Sequence, residues 1–379
     1  MEIYLDYAAT TPLDPEVLSV MLPFLSENFG NASSIHRYGR TARAAMDTAR
    51  EHIADLINAD FAEIYFTGSG TEADNLALFG TMAATTAGKN HLITTAIEHH
   101  AVLHPAHALQ TQGFEVTVVP VDSEGRVSPK DIEAAITDKT ALVSVMHANN
   151  EIGTIQPIKE IAEIAHARGA KFHTDAVQTI GQSKIDVRDL DCDLLTLSAH
   201  KIYGPQGVGA LYIKQGTKIN PQTHGGAQER EKRAGTENIA AIVGFGHAAI
   251  LTQSRRETDA PLLTNLRDGF LSRLRDAIPD LRLNGHPTLR LANNLNVSVS
   301  GVEGPTLLMN LDRHGIAASS GSACSSGSIE PSHVLKAIGL NDTLASSGVR
   351  FSLGRLTTED ELEYTAETFS AIVAKMRGR

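Results

Sequence analysis

Tryptophan is absent from this 379-residue chain, and cysteine occurs only twice, as Cys192 and Cys324. Two cysteines cannot staple a chain of this length, which excludes a disulfide framework and suits a reducing compartment. Long hydrophobic runs are missing as well. The most apolar neighbourhood, Ile239 to Leu251, is broken by Gly244, Gly246 and His247 and is too short to span a bilayer. The N-terminus has an early acid, Glu2, and no basic region ahead of an apolar stretch, so no signal peptide is expected and the cytoplasm is the default location. Positive charge is in deficit: 33 Lys and Arg stand against 44 Asp and Glu, a net charge of −11. That balance argues against nucleic acid as the main partner, since phosphate-backbone binding needs a basic surface.

What is present reads as a folded globular protein, with 42% apolar and 20% charged residues. A length of 379 residues implies two or three domains at roughly 100–200 residues each. Short β-rich runs alternate with helix-period segments through the first two-thirds: Ile64 to Phe66, His91 to Thr95, Glu115 to Val121, Leu142 to Met146, Lys171 to Thr174 and Leu194 to Ser198. Between them, Ala42, Met46, Ala49, Ile53 and Leu56 recur at helical spacing, as do Ile158, Ile161, Ile164 and Ala165. The alternation predicts an α/β fold with a mostly parallel, doubly wound sheet. Later the texture changes to a polar-faced helix (Leu262 to Ile278), a strand (Asn294 to Val299) and a Ser/Gly stretch (Ser319 to Ser328), which predicts a smaller α+β domain. The boundary falls in the charged segment Gln253 to Pro261 and is placed near residue 260.

Several polar residues follow the apolar strands. Thr67 to Thr71 (TGSGT) links a strand to a helix, so its backbone N–H groups are suited to cradling an anion such as phosphate; a plain glycine-rich turn is the alternative. Lys201 ends the apolar run Leu194 to Ser198, where desolvation favours a neutral amine suited to Schiff-base chemistry. Ser198 and His200 lie beside it. Asp175 ends another strand and is placed either to hold a protonated pyridine nitrogen or to cap a helix. Asn149 and Asn150 could reach the same edge or simply form a turn.

Glu98, His99, His100, His104 and His107 suggest a metal, yet no H-E-x-x-H or paired-cysteine pattern accompanies them. A single ring-stacking or acid–base histidine is the better expectation, and no metal is predicted. Cys324 sits among small polar residues and reads as an exposed nucleophile, whereas Cys192 beside Leu194 and Leu195 reads as buried and inert. Arg350 alternates with apolar neighbours, so its guanidinium is placed either to grip a carboxylate or to form a structural ion pair. Arg230, Lys232, Arg233, Gly235 and Thr236 form a basic patch that could meet a phosphate, a partner subunit or only water.

In chain order these pieces resemble one family, the cysteine desulfurases of the NifS/IscS type, which are class-V aminotransferases of pyridoxal-phosphate (PLP) fold type I. The resemblance runs through YLDYAATTP (4–12), GNASSIH (30–36), TGSGTEADN (67–75), Glu98-His99 and NNEIG (149–153). It continues through TDAVQ (174–178), SAHKIYGP (198–205), RAGTEN (233–238), SGSAC (320–324) and RFSLGR (350–355). Position 32 is alanine where family members often carry proline.

The resemblance implies a large PLP-binding domain over 15–260 and a small domain from 1–14 and 261–379 that carries the Cys324 loop. Lys201 would hold PLP, Asp175 would pair with its ring nitrogen, and His99 would stack on the ring. Asn150 and Gln178 would address the ring's 3-oxygen. Gly70, Thr71, Ser198 and His200 would hold the phosphate, with Thr236 arriving from the other subunit of a homodimer. Arg350 and Asn150 would hold the carboxylate of L-cysteine, and Cys324 would take its sulfur as a persulfide, releasing L-alanine. The extended Ser/Gly loop resembles the scaffold-serving group, while the short C-terminus leaves the acceptor open between an iron–sulfur scaffold and another protein. A different class-V aminotransferase or a selenocysteine lyase is the same-fold alternative. A non-catalytic sulfur carrier is the alternative from another class.

Overall fold

The computed structural model describes residues 2–321 and 331–378. Its centre is a seven-stranded sheet in the order Ile64–Thr67, Gly209–Ile213, Leu194–Ser198, Lys171–Asp175, Thr140–Ser144, His91–Thr95, Glu115–Val119. Every pairing from Leu194–Ser198 to Glu115–Val119 is parallel. Gly209–Ile213 alone runs the other way, antiparallel to both of its neighbours. The central strands are buried on both faces, which is why they read as continuous apolar runs rather than alternating ones. Helices cover the two faces, and the largest apolar cluster lies between the sheet and helices Arg37–Ile57 and Ile158–Ala167.

A second sheet of three antiparallel strands, Gly348–Ser352, Asn294–Ser298 and Arg282–Asn284, lies under helices Gly304–Arg313 and Glu359–Met376. Its apolar cluster takes in Ile3 and Leu5 from the N-terminus, where Ile3–Tyr4 pairs in parallel with Ile316–Ala317.

The segment read as a boundary behaves differently from expectation. Helix Ile239–Ala277 runs unbroken for 39 residues, about 58 Å, straight through Gln253 to Pro261, so the helix expected to begin at Leu262 begins much earlier. Its first half packs in the large cluster through Ile242, Phe245 and Ala249, and its second half in the small one through Leu263, Phe270 and Leu274. The charges that look like a linker belong to its outer face, where Arg255 pairs with Asp14 and Glu16. Among the described residues no helix is long and apolar enough to cross a membrane.

Candidate active site

The parallel strands end on one side, and that edge is where ligands collect in α/β sheets. Strand Leu194–Ser198 delivers Ser198 and then a single turn of 3₁₀ helix, Ala199–Lys201. Lys201 Nζ donates to the carbonyls of Ala8 at 2.5 Å and Ala9 at 2.7 Å, so the N-terminal segment fixes the amine over the strand ends. One strand over, Asp175 Oδ1 accepts the N–H of Val177 at 2.9 Å. Burial pushes the Asp175 carboxyl up to about 6, against the pull of that N–H and of the Lys201 charge. Asp74, buried beside it on helix Gly70–Ala83, is raised as well, first by burial and then by the charge of Asp175. Asp74 Oδ1 lies 3.6 Å from His173 Nε2.

Strand Ile64–Thr67 runs into Gly68 and Ser69, and Ser69 caps helix Gly70–Ala83 by accepting the N–H of Glu72 at 3.1 Å. The first N–H groups of that helix have no acceptor within it, and Gly70 and Thr71 lie with the strand-end residues around one opening, the usual setting for an anion. A side chain at position 70 would put its Cβ 3.0 Å from Val177 Cγ2, so glycine keeps this cradle open.

His99 caps helix His100–Thr111, its Nδ1 accepting the N–H of Ala101 at 3.1 Å, which leaves the ring proton on Nε2. Burial first, and then the charges of Lys201 and of His100, His333 and His104, hold its pKa down at about 4. The ring is therefore neutral at physiological pH. Glu98 beneath it accepts from Thr95 Oγ1 at 2.6 Å and from the N–H of Met146 at 3.0 Å, and burial lifts it to about 8.

Asn149 is a backbone fastener, donating to the Ile97 carbonyl and accepting from the N–H groups of Glu151 and Ile152. Asn150 faces the site, and its carbonyl accepts from Arg350 Nη1 at 3.0 Å. Arg350 is 2% exposed on a strand buried on both faces, with Nη2 on Asp6 Oδ1 at 2.6 Å. Its Nε has no hydrogen-bond partner among the described residues.

These groups enclose one cavity of about 380 Å³. Of the residues expected from the sequence, Gly70, Thr71, His99, Asn150, Asp175, Gln178, Ser198, His200, Lys201 and Arg350 all line it. Gln178 Nε2 donates to the Ala8 carbonyl at 3.0 Å, and His200 Nδ1 meets Thr10 Oγ1 at 3.1 Å. Thr236 does not line it. It is exposed and borders a smaller cleft beside Thr67, Gly68 and Arg233. Cys324 lies outside the described residues. Cys192 is fully buried, which drives its thiol pKa upward and leaves it inert. The basic patch is not a solvated loop either: Arg230 lies 4.0 Å over the Tyr65 ring and Arg233 pairs with Glu72.

The sequence reading missed Asp74, Asp6 and the Ala8 and Ala9 carbonyls. Asp6, Ala8 and Ala9 do lie in the motif YLDYAATTP, but their contacts with Arg350 and Lys201 bridge 344, 193 and 192 positions. Among the described residues no group of three or more His, Cys, Asp or Glu is arranged to hold a metal ion.

The family model for aminotransferase class V matches residues 3–365 of the chain. A protein of Dictyoglomus turgidum named cysteine desulfurase IscS is 52% identical over 376 residues, covering 99% of this chain and 95% of the relative. The chain belongs to the cysteine desulfurases of the NifS/IscS type. Another desulfurase of that name, from Methanosarcina thermophila, is 52% identical over 375 residues, covering 99% of this chain and 93% of the relative. A solved NifS-like protein superimposes with a TM-score of 0.93 at 36% identity, covering 99% of this chain and all of the other. The structure described as SspA in complex with cysteine gives a TM-score of 0.82 at 36% identity, covering 93% of this chain and 99% of that one. Desulfurases of this family are class-V, fold-type-I proteins and generally use PLP, and the seven-stranded sheet with its strand-end cavity is that architecture.

Proposed function

We propose that this chain is a PLP-dependent cysteine desulfurase that moves the sulfur of L-cysteine onto Cys324 and releases L-alanine. The observation that carries the reading is the convergence of Lys201, Asp175, His99 and the N-terminus of helix Gly70–Ala83 on one cavity. The donor set fits PLP end to end. A buried carboxylate suits a pyridinium nitrogen, a neutral imidazole suits a ring face, a lysine suits an aldehyde, and a helix N-terminus with Thr71, Ser198 and His200 suits a phosphate. When bound, PLP supplies an electron sink that acidifies the Cα–H of an amino acid.

The chain's own groups then divide the work. Lys201 would hold PLP through its ε-amine and, when that amine is free, would take the α-proton of the substrate. Asp175 would favour the protonated ring nitrogen, and Asn150 and Gln178 would address the 3-oxygen. Arg350, whose Nε carries no partner among the described residues, and Asn150 orient the substrate carboxylate. The Cys324 thiolate would attack the substrate sulfur: the Cβ–sulfur bond breaks, a sulfur–sulfur bond forms, the electron pair left on Cβ takes up a proton, and the α-proton is returned to Cα to give alanine. The persulfide then passes to an acceptor protein, an iron–sulfur scaffold or another sulfur carrier. A homodimer in which Thr236 serves the neighbour's phosphate, in a reducing cytoplasm, completes the proposal.

The test is alanine and sulfide release from L-cysteine with added PLP and a thiol reductant, comparing wild type with Cys324→Ala. Stoichiometric products in wild type and their loss in the variant are expected. Cofactor binding with turnover that survives Cys324→Ala would replace this reading with that of a lyase or aminotransferase.

A further inference from the structure

The loop that carries Thr236 is tied to the entrance of the helix-N-terminal cradle by two ion pairs that the chemistry above does not use. Glu229 and Arg50 form the first. Their side chains are 2% and 3% exposed, and they meet at two points, 2.6 and 2.7 Å. Glu229 Oε2 also accepts the N–H of Phe66 at 2.8 Å, and Arg50 Nη1 donates to the Ile64 carbonyl at 2.7 Å. Strand Ile64–Thr67 is the outermost of the seven at that end, so these backbone groups are the ones a further strand would pair. Side chains from a distant loop and helix stand in for that strand. The second pair lies on the cradle itself: Arg233 Nε donates to Glu72 Oε1 at 2.7 Å, and Glu72 Oε2 accepts the N–H of Gly68 at 2.8 Å.

The turn between these anchors adopts a backbone that side-chain-bearing residues avoid. Glu229, Arg230 and Glu231 have φ of 44°, 54° and 64°, and none is glycine. Such a run persists only where surrounding contacts over-determine it, and the buried pair supplies those contacts. As a source of stability a buried ion pair is poor, because two charges lose their water. As a positioning device it is directional, fixing a carboxylate to one N–H and a guanidinium to one carbonyl.

We propose that Glu229, Arg50 and Arg233 are positioning residues for the phosphate end of the cofactor site. They lock the backbone of Phe66 to Gly68 and the loop that carries Thr236 into one piece. None of the three lines the cavity, so they act through the backbone N–H groups that follow Gly68. The proposal rests on the PLP reading of the site.

The test measures equilibrium binding of PLP and, separately, of pyridoxal, which has the same ring and aldehyde without the phosphate. Full-length apo-protein is compared with Glu229→Gln and Arg233→Met, with cofactor absorbance as the readout. Wild type is expected to prefer PLP strongly. Each variant is expected to lose about tenfold to a hundredfold of that preference, the scale set by outer partners of metal-binding shells. Pyridoxal affinity is expected to stay within about twofold. Arg233→Met, whose pair is partly exposed, carries the test if circular dichroism shows Glu229→Gln unfolded. Equal loss of both ligands, or loss of neither, overturns the positioning role while the PLP reading stands. Wild-type protein that binds neither ligand overturns both.

Discussion

At the scale of single residues, whether an acid carries its charge is set by where the fold leaves it. Lys201 and Asp175 each follow an apolar run, so their place at a sheet edge is visible in one dimension. Glu98, by contrast, reads as part of a histidine-rich cluster, yet the fold turns it inward onto Thr95 and Met146, fully buried. This has a measurable consequence. Its carboxyl sits at about 8 in the fold against an ordinary value of 4.5, so between those values the native state holds a proton that the unfolded chain releases. The contribution of Glu98 to stability is complete below the lower value and is lost as pH rises through the upper one. Glu98→Gln, which cannot ionise, is expected to gain on wild type by about 2–4 kcal/mol between pH 5 and pH 9. Urea unfolding of both proteins at pH 5, 7 and 9 reads this as the change of their difference with pH, since a group apart from Glu98 such as Glu151 titrates in each. A difference that stays constant over that range would show that Glu98 is not protonated in the native state.

At the scale of elements, the alternation of strand and helix exposed the main sheet to sequence reasoning, since strands buried on both faces stay apolar throughout. Helix Ile239–Ala277 escapes sequence reading because its middle turns face water, with Arg255 paired to Asp14 and Glu16 and Asp259 paired to Arg355, leaving no periodic apolar signal to bridge the two halves. The close approach of strand Gly209–Ile213 to the cradle was equally silent. A Cβ at Gly209 would stand 2.5 Å from the Ser69 carbonyl carbon and 2.8 Å from Gly70 N, both backbone atoms that cannot swing aside. Gly209→Ala is therefore expected to displace the first turn of helix Gly70–Ala83, weakening PLP binding by about tenfold or more and costing roughly 1–3 kcal/mol of stability. Gly269→Ala serves as the control. Its Cβ would meet only the far end of Arg273 at 3.7 Å, so it should leave PLP binding unchanged and add up to about 1 kcal/mol through helix propensity. PLP titration and thermal unfolding of both variants decide the matter, and unchanged PLP affinity in Gly209→Ala would mean that the cradle tolerates displacement.

At the scale of the whole molecule, one face is left without cover. Helix Pro15–Ser26 buries Val17 and Met21 against the large cluster but exposes Leu18, Leu22 and Leu25 at 42%, 53% and 62%. These three share a helix face at spacings of four and three residues, and the chain that follows adds Phe29 at 71% and Ile35 at 91% exposure. Scattered exposed leucines are ordinary, but a helical stripe continued by two nearly bare side chains marks an association surface. Thr236 lies outside its own chain's cavity, on a loop fastened at the cradle entrance. A second copy of the chain, as proposed above, would account for both, with the apolar stripe supplying affinity and Thr236 completing the neighbour's phosphate site. Paired substitutions Leu22→Asp and Leu25→Asp are expected to shift the protein from dimer to monomer in light scattering, since two charges in an apolar contact lose their water without partners. If the sites are shared, PLP affinity should fall in step with dissociation, and Thr236→Ala should weaken PLP binding while leaving the dimer intact. Wild type that scatters as a monomer and turns over cysteine fully would refute the shared site and leave the stripe to a different partner.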